Sequence, residues 1–340
     1  MASVASVNAS EAVLQPFNYL LASPGKSFRT KFIQAFDYWL QVPKADLKII
    51  TNVVDKLHTA SLLIDDIEDD SEIRRGIPAA HKVHGIPATL NSANYVYFLA
   101  LQDIVRMNKS DLVTVFTEEL IALHEGQGMD IYWRDNSTCP SENEYLAMVA
   151  NKTGGLLRLA VKMMQHCSDS NVDYIDLVNN FGVYFQVRDD FMNLRSAEYS
   201  DKKGFCEDIE EGKFSFPVVH SINENPKDHR LVDILKEKTN DTKIKREALA
   251  IMAKTDSFNY TLEYLNQREN EIRASIQEFD GNPLLEKAMD MLHLDANSSS
   301  FNTIEEEASG NTGSLSSGYH YSTVLYTGAA TLILLSNKIW

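Results

Sequence analysis

The sequence has few cysteines, a deficit of positive charge and no recognisable signal segment. Its three cysteines, Cys139, Cys167 and Cys206, are scattered and odd in number, so they form neither a disulfide framework nor a zinc spacing. We therefore expect reduced thiols in a cytoplasmic protein. The net charge of −16 argues against a nucleic-acid-binding protein, because phosphate contacts need a basic surface. Residues 1–15 have neither the basic start nor the long apolar core of a secretory signal.

Strict alternation of apolar and polar residues, the mark of half-buried strands, is also missing. Apolar residues instead recur at helical spacing, which predicts helices over Phe28–Leu40 and from Asp46 to Asp65. Further helices are predicted over 91–107, 111–129, 141–166, 172–196, 228–238, 241–254 and 257–294, with a short one from Phe216. We therefore predict an all-α fold, a single large helical bundle whose facing helices build a site around a central cavity.

The composition divides the chain into three regions. Residues 1–22 are predicted to be a weakly ordered lead-in, and 23–294 form the main domain. Residues 295–340 contain serine-, asparagine- and glycine-rich stretches, which are typical of a low-complexity tail. Within this tail 324–335 is mostly apolar, but it is shorter than the roughly 20 residues that span a bilayer. A membrane contact of the tail is left open.

One stretch concentrates negative charge. Asp65, Asp66, Glu68, Asp69 and Asp70 place five carboxylates in six positions at the end of an apolar helix. Asp65 and Asp69 lie one turn apart on one face, where like charges repel. A hard cation such as Mg²⁺, which prefers oxygen ligands, would relieve that repulsion. The alternative interpretation is an ordinary solvated acidic face.

A second polar stretch makes the solvated face a poor explanation. Gln186, Asp189, Asp190 and Asn193 share one face of a helix, again near its end. Two such helix ends facing one cavity could hold a metal cluster. Because the net charge repels anions, an anionic ligand would need local cations, and basic residues follow both stretches. They are Arg74, Arg75, Lys202, Lys203 and Lys213. Carboxylates, a metal and these cations together predict a diphosphate site.

These stretches and their neighbours resemble the motifs of the trans-isoprenyl diphosphate synthases, in particular the geranylgeranyl diphosphate synthases of the fungal and animal kind. The resemblance covers about residues 19–294, and its motifs are highly specific in combination. The motifs that carry it are 21–26, 58–66, 74–76, 91–98, 126–130, 151–155, 185–190 and 212–217.

The resemblance implies the isoprenoid synthase type of all-α bundle, about three Mg²⁺ ions per site and at least a homodimer. It implies a prenyltransferase that joins isopentenyl diphosphate to allylic diphosphates. The metal ligands would be Asp65, Asp69 and Asp189. The isopentenyl diphosphate would be bound by Lys26, Arg29, His58 and Arg75. The allylic diphosphate would be bound by Arg74, Lys152, Thr153, Gln186, Asn193, Lys203 and Lys213. The residues closest to the chemistry would be Asp65, Asp69, Lys152, Thr153, Gln186, Asp189 and Lys213.

Product length is predicted from the end of the apolar tunnel. Ser61 lies one helical turn before Asp65 and Ala60 lies beside it, and both are small, which leaves room for a twenty-carbon product. The resemblance adds Tyr97, Phe98 and His124 as residues that close the pocket. Asn193 stands where shorter-chain enzymes have Asp, as in the geranylgeranyl branch. One departure is Glu125, where related sequences tend to have Arg.

Three other functions fit parts of the pattern. A terpene cyclase also uses an aspartate-rich motif and Mg²⁺, but it needs no second diphosphate pocket of the kind that Lys26, Arg29 and His58 predict. A non-catalytic partner subunit typically loses one aspartate motif, and this chain has both. A di-iron bundle needs paired Glu-x-x-His motifs, which the sequence lacks.

Overall fold

The computed structural model describes residues 8–23, 28–195 and 205–294, and the structural statements below concern these ranges. Lys26, Lys203 and the tail over 295–340 lie outside them. The described residues are overwhelmingly helical, and the predicted all-α fold is confirmed. The helices are α1 Ala9–Val13, α2 Gln15–Leu21, α3 Phe28–Leu40, α4 Lys44–Glu68, α5 Ala80–His84, α6 Ile86–Arg106, α7 Ser110–Asn136, α8 Glu142–Lys152, α9 Gly154–Cys167, α10 Ile175–Arg195, α11 Glu207–Glu211, α12 Phe216–Glu224, α13 Arg230–Glu237, α14 Thr242–Lys254, α15 Ser257–Glu278 and α16 Pro283–Leu292.

Two helices that the sequence predicts as continuous are each divided. The helix predicted over 141–166 ends at Lys152 and restarts as α9 after Thr153. The helix predicted over 257–294 ends at Glu278, because Asp280 and Gly281 both have positive φ angles, which end a helix. Asn282 then accepts hydrogen bonds from two backbone amides and caps α16. The first division is the important one, because it places Lys152 and Thr153 at a junction between two helices.

The core is built around α10, which is buried on nearly all sides. α10 packs against α9 and α15, while α4 packs against α6 and α9, and α7 against α8 and α9. Where α10 crosses α9, a Cβ added to Gly182 of α10 would lie 2.8 Å from the Cα of Gly154 in α9. Glycine at this position allows the two backbones to touch, which fixes α10 against the junction that holds Thr153.

The N-terminal region differs from the weakly ordered lead-in predicted for residues 1–22. Within its described part the chain forms α1 and α2, and α2 buries Phe17 and Leu20. These side chains join a separate apolar cluster with Ala60 and Leu63 of α4 and Ala93 of α6. The helical periodicity of this short segment is too weak to predict a helix by itself. Its packing on two long helices orders it.

A two-stranded hairpin follows α4, although the sequence contains no hairpin signal that we recognised. β1 Ile73–Arg74 pairs antiparallel with β2 Ile77–Pro78. The two turn residues Arg75 and Gly76 have φ angles of 55° and 78°, as a tight hairpin turn requires. The hairpin folds two arginines back toward the end of α4. Within the described ranges, no helix is both long and apolar enough to cross a membrane.

Candidate active site

The first acidic stretch occupies the last turn of α4 and the two residues after it. Asp66 is fully buried, and Asp65 and Asp69 are half-buried on the adjacent face. Arg74 of the hairpin donates to Asp66 Oδ1 and, over 3.1 Å, to Asp65 Oδ2. Asp70 is different: its side chain is 85 % exposed and paired with Lys82. The four aspartates of the stretch therefore separate into three that face inward and one that faces solvent.

Two residues that the sequence analysis missed also hold this stretch in place. Arg134, near the end of α7, donates to the Asp69 carboxylate and, over 3.0 Å, to the Glu68 carbonyl. Gln127, two turns earlier on α7, donates to Glu68 Oε2 over 2.7 Å. Arg134 reaches α4 because α7 continues to Asn136, about two turns beyond its predicted end at 129.

The inward-facing carboxylates repel one another. Burial raises the pKa of Asp66 to about 6, and Arg74 only partly offsets this. Burial and the neighbouring Asp65 likewise raise the pKa of Asp69 to about 6. The second oxygen of Asp66 is buried and has no hydrogen-bond partner among the described residues. A divalent cation nearby would favour the ionised forms, so the donor set fits a hard metal ion.

A preformed metal cage is not present within the described ranges, since no three potential ligands converge on one point. Mg²⁺ is commonly bound through one or two carboxylates, with phosphate oxygens of the substrate completing its coordination.

The two adjacent aspartates of the second acidic stretch have different environments. Asp190 is fully buried and accepts hydrogen bonds from Tyr145 Oη, Gln186 Nε2 and Lys213 Nζ, and from the backbone amide of Phe216 over 2.8 Å. Asp189, one residue away, is only partly buried. Asp190 therefore joins α8, α10 and α12, while Asp189 faces the less enclosed side of α10.

A chain of alternating charges connects the two acidic stretches. Lys152 Nζ donates to Asp130 over 2.5 Å, and burial, which would lower the pKa of Lys152, is outweighed by Asp130, Asp65 and Asp69. Lys213 Nζ lies 3.1 Å from Asp190. Burial would raise the pKa of Asp130, but Lys152 and Lys213 hold it below its ordinary value. Electrostatic contact thus runs from Asp65 across to Asp190, so both stretches face the same region.

The junction between α8 and α9 contributes neutral dipoles to this region. Thr153 Oγ1 donates to Gln186 Oε1 over 2.7 Å, and Gln186 in turn donates to Asp190 over 2.8 Å. Asn193 is placed differently from its neighbours in the motif, because its amide oxygen accepts from the backbone amide of Asp208 over 3.2 Å. Glu211 of α11, which the sequence analysis also missed, has its pKa raised strongly by burial and by Asp69.

A buried cluster of cations lies beside the acidic one. Burial lowers the pKa of Arg29 to about 9, and Arg75 contributes to the shift. Burial, Arg29, Arg75 and Arg74 together hold the pKa of His58 well below its ordinary value, so its imidazole is neutral at pH 7. The buried Nε of Arg75 has no hydrogen-bond partner among the described residues. Cations that disfavour one another in this way form a ready site for a multiply charged anion.

An apolar cavity extends from Asp65 between α4, α6 and α7. Its volume is about 60 Å³, or about 490 Å³ when the space open to solvent is included. The lining residues are Ser61, Leu62, Ile64, Asp65, Glu68, Tyr97, Leu123, His124, Gln127 and Lys152. Tyr97 and His124 approach each other at one side of it, with ring centroids 5.7 Å apart. The Ser61 hydroxyl donates to the His58 carbonyl over 2.9 Å, which satisfies its polar group within α4.

Three of the five residues predicted for the product-length pocket line this cavity, and two do not. Ala60 packs in the cluster with Phe17. Phe98 is 70 % exposed on α6. Consecutive helical residues differ in direction by about 100°, so Ala60 and Phe98 do not point in the directions of Ser61 and Tyr97.

Comparisons with known proteins show the family of this chain. The Polyprenyl synthetase family matches residues 10–252. A geranylgeranyl pyrophosphate synthase of Mucor circinelloides f. lusitanicus is 51 % identical over 286 residues, which are 84 % of this chain and 94 % of that protein. One from Dictyostelium discoideum is 50 % identical over 280 residues, 82 % and 92 % of the two chains. A protein of Matsumurasca onukii named terpene synthase is 46 % identical over 286 residues, 84 % and 94 % of the two chains.

A helical bundle with two acidic helix ends, a cation cluster and an apolar cavity defines the class of enzyme that handles prenyl diphosphates. The extent of the match settles the family: the chain belongs to the polyprenyl synthetases.

Proposed function

We propose that this protein is a geranylgeranyl diphosphate synthase, which condenses isopentenyl diphosphate with dimethylallyl, geranyl or farnesyl diphosphate and releases pyrophosphate. The observation that carries the proposal is the arrangement of two anion-binding regions next to one apolar cavity. Asp65 belongs to the cavity wall and is linked through Lys152 to the second acidic stretch, while the cluster around Arg75 offers a second place for a diphosphate.

The residues divide into two sets by the ligand they would hold. Arg29, His58 and Arg75 would bind isopentenyl diphosphate, with Lys26, which lies outside the described residues, as a further candidate. The allylic diphosphate would be bound by Arg74, Lys152, Thr153, Gln186, Lys213 and, again outside the described residues, Lys203. Asn193 remains a candidate of this second set, although its amide oxygen is engaged by α11.

Asp65, Asp69 and Asp189 would hold Mg²⁺, which, when bound, supplies the Lewis acidity and charge neutralisation that help a diphosphate to leave. Lys152 and Lys213 would spread the remaining negative charge. The oxygen dipoles of Thr153 and Gln186 would face the allylic carbocation without presenting a strong nucleophile. The neighbouring cation cluster would hold the second substrate close enough for its double bond to attack and form the new C–C bond. Loss of a proton from the resulting cation to the released pyrophosphate would restore the allylic double bond.

The apolar lining of the cavity would keep water from the carbocation and receive the growing chain. The chain would run from Asp65 past Ser61 toward Tyr97 and His124. The small Ser61 leaves the passage open, which supports a twenty-carbon product. The relatives from Mucor and Dictyostelium are named for that product.

Self-association is the second part of the proposal. Large apolar side chains are exposed on α6 and α7, among them Phe98, Val105, Ile121 and Tyr132. Their burial in a homodimer would remove this area from water. Light scattering on the full chain would test it, and a monomer over the micromolar range would contradict it.

The experiment that tests the activity is incubation with labelled isopentenyl diphosphate, Mg²⁺ and each allylic primer in turn, with product length measured by chromatography. A twenty-carbon diphosphate that disappears when the metal is chelated is expected. The relative named terpene synthase makes a cyclase the competing candidate. Incubation with geranylgeranyl diphosphate alone separates the two, because hydrocarbon would form only with a cyclase.

A further inference from the structure

The hairpin that carries Arg74 and Arg75 is too short to be stable by itself. β1 and β2 have two residues each, and even longer isolated hairpins are marginal in water. Arg75 also has a φ angle of 55°, a left-handed conformation that is unfavourable for a residue with a Cβ. The position of this arginine must therefore be fixed by contacts outside the hairpin.

Two of those contacts come from the N-terminal helix α2 and the residues just after it. The hydroxyl of Tyr19 donates to the Pro78 carbonyl over 3.0 Å. Arg75 Nη1 donates to the Ser23 carbonyl over 2.8 Å. The ring of Tyr19 also meets the ring of His84 edge-on, with centroids 5.3 Å apart. The Tyr19 hydrogen bond holds strand β2, and the Ser23 hydrogen bond holds the Arg75 side chain at the turn.

α2 is a firm support because it is itself packed on the helix that carries the acidic stretch. Phe17 and Leu20 are buried against Ala60 and Leu63 of α4. The other strand of the hairpin is held separately, through the bonds of Arg74 to Asp66 and Asp65. Loosening α2 should therefore disturb Arg75 more than Arg74.

We propose that Tyr19 is a positioning residue for the isopentenyl diphosphate pocket. Through the Pro78 carbonyl it fixes β2, so that Arg75 presents its guanidinium toward Arg29 and His58. Tyr19 need not touch the substrate. This inference rests on the proposed function, which assigns isopentenyl diphosphate to that pocket.

Tyr19→Phe tests the proposal, because it removes the hydroxyl and keeps the ring. The KM for isopentenyl diphosphate should rise by about threefold, as expected for the loss of one neutral hydrogen bond. The kcat and the KM for farnesyl diphosphate should stay at their wild-type values, since Arg74 is held from α4. Tyr95→Phe is the matched control: its hydroxyl also contacts the N-terminal segment, at Ser10 over 3.3 Å, and its loss should change none of the three.

A second variant tests the same inference in case the loss of one hydrogen bond has only a small effect on the KM for isopentenyl diphosphate. Phe17→Ala weakens the packing of α2 and should raise the same KM by more than Tyr19→Phe does. Wild-type KM values for isopentenyl diphosphate in both variants, with a raised value in Arg75→Gln, would overturn the role of Tyr19 and leave the pocket assignment intact. An unchanged value in Arg75→Gln would instead contradict the pocket assignment.

Discussion

The ends of α4 and α10 carry similar acidic sequences but have opposite surroundings. At the end of α10, Asp190 receives four hydrogen bonds, one from α10 itself and three from other parts of the fold. At the end of α4, Asp66 keeps an unpaired buried oxygen and the pKa of Asp69 is raised. The carboxylate of Asp190 is satisfied by hydrogen bonds within the protein, whereas the positive charge near Asp66 and Asp69 does not fully offset their burial and mutual repulsion. A pair of adjacent aspartates can thus serve as an internal connection or as part of a ligand site.

The largest effect expected from this difference is on catalysis at the end of α4. Asp69→Asn should lower kcat by about 10²–10³-fold, because one charged group that stabilises the departing diphosphate is lost. The midpoint of thermal unfolding should not fall, since the substitution also relieves repulsion from Asp65. Asp70→Asn is the control within the same stretch: Asp70 is exposed and paired only with residues outside the site, so its kcat should match the wild type. Equal losses of kcat in Asp69→Asn and Asp70→Asn would contradict the distinction between the inward-facing and the exposed aspartates.

The second prediction concerns stability at the end of α10. Asp190→Asn should lower the free energy of unfolding by about 3 kcal/mol, because it removes the buried charge that the half-buried Lys213 and the neighbouring donors share. Asp189→Asn, one residue away, should lose activity while keeping the wild-type free energy of unfolding. Chemical denaturation of both variants measures the difference. The reverse order of stabilities would show that the two aspartates have been assigned the wrong roles.

The sequence predicted the helices well but not which distant side chains bind each aspartate, for a physical reason. Helical spacing records which residues face the core, and this was enough to predict α3, α4 and α10. It does not record which side chain of an adjacent pair is bonded to a donor from another helix. Asp190, for example, accepts a hydrogen bond from Tyr145, which lies 45 positions earlier in the chain. Arg134 was missed for the same reason, because its contact with Asp69 spans 65 positions.

The third prediction uses small residues on the same two helices. Ser61→Phe on α4 should fold normally and shorten the main product from twenty toward fifteen carbons, because Ser61 lines the cavity. Gly182→Ala on α10 should instead lower the unfolding midpoint, because the added Cβ would lie 2.8 Å from a backbone atom of Gly154. Product chromatography and thermal unfolding distinguish them. Phe98→Ala should leave product length unchanged, since Phe98 faces outward.

The smallest expected effect concerns proton uptake by His58, also on α4. Burial and three arginines keep its pKa well below the ordinary value in the free protein, so the ring is neutral at pH 7. A bound diphosphate would reverse the local potential and raise that pKa. Binding would then take up a proton, and linkage requires the affinity to increase as pH falls through the raised pKa. From pH 8 to pH 6 the Kd for isopentenyl diphosphate should therefore fall by about threefold more in the wild type than in His58→Gln.

Titration of the histidine rings by NMR would check this directly, with His220 as an internal control. The pKa of His220 is also lowered by burial, but its Nδ1 lies 2.8 Å from the Ser257 hydroxyl, so its environment is completed by the protein. Ligand should shift the titration of His58 and leave that of His220 in place. Equal shifts of both rings would mean that binding changes the whole fold, and would contradict a local effect of the diphosphate on His58.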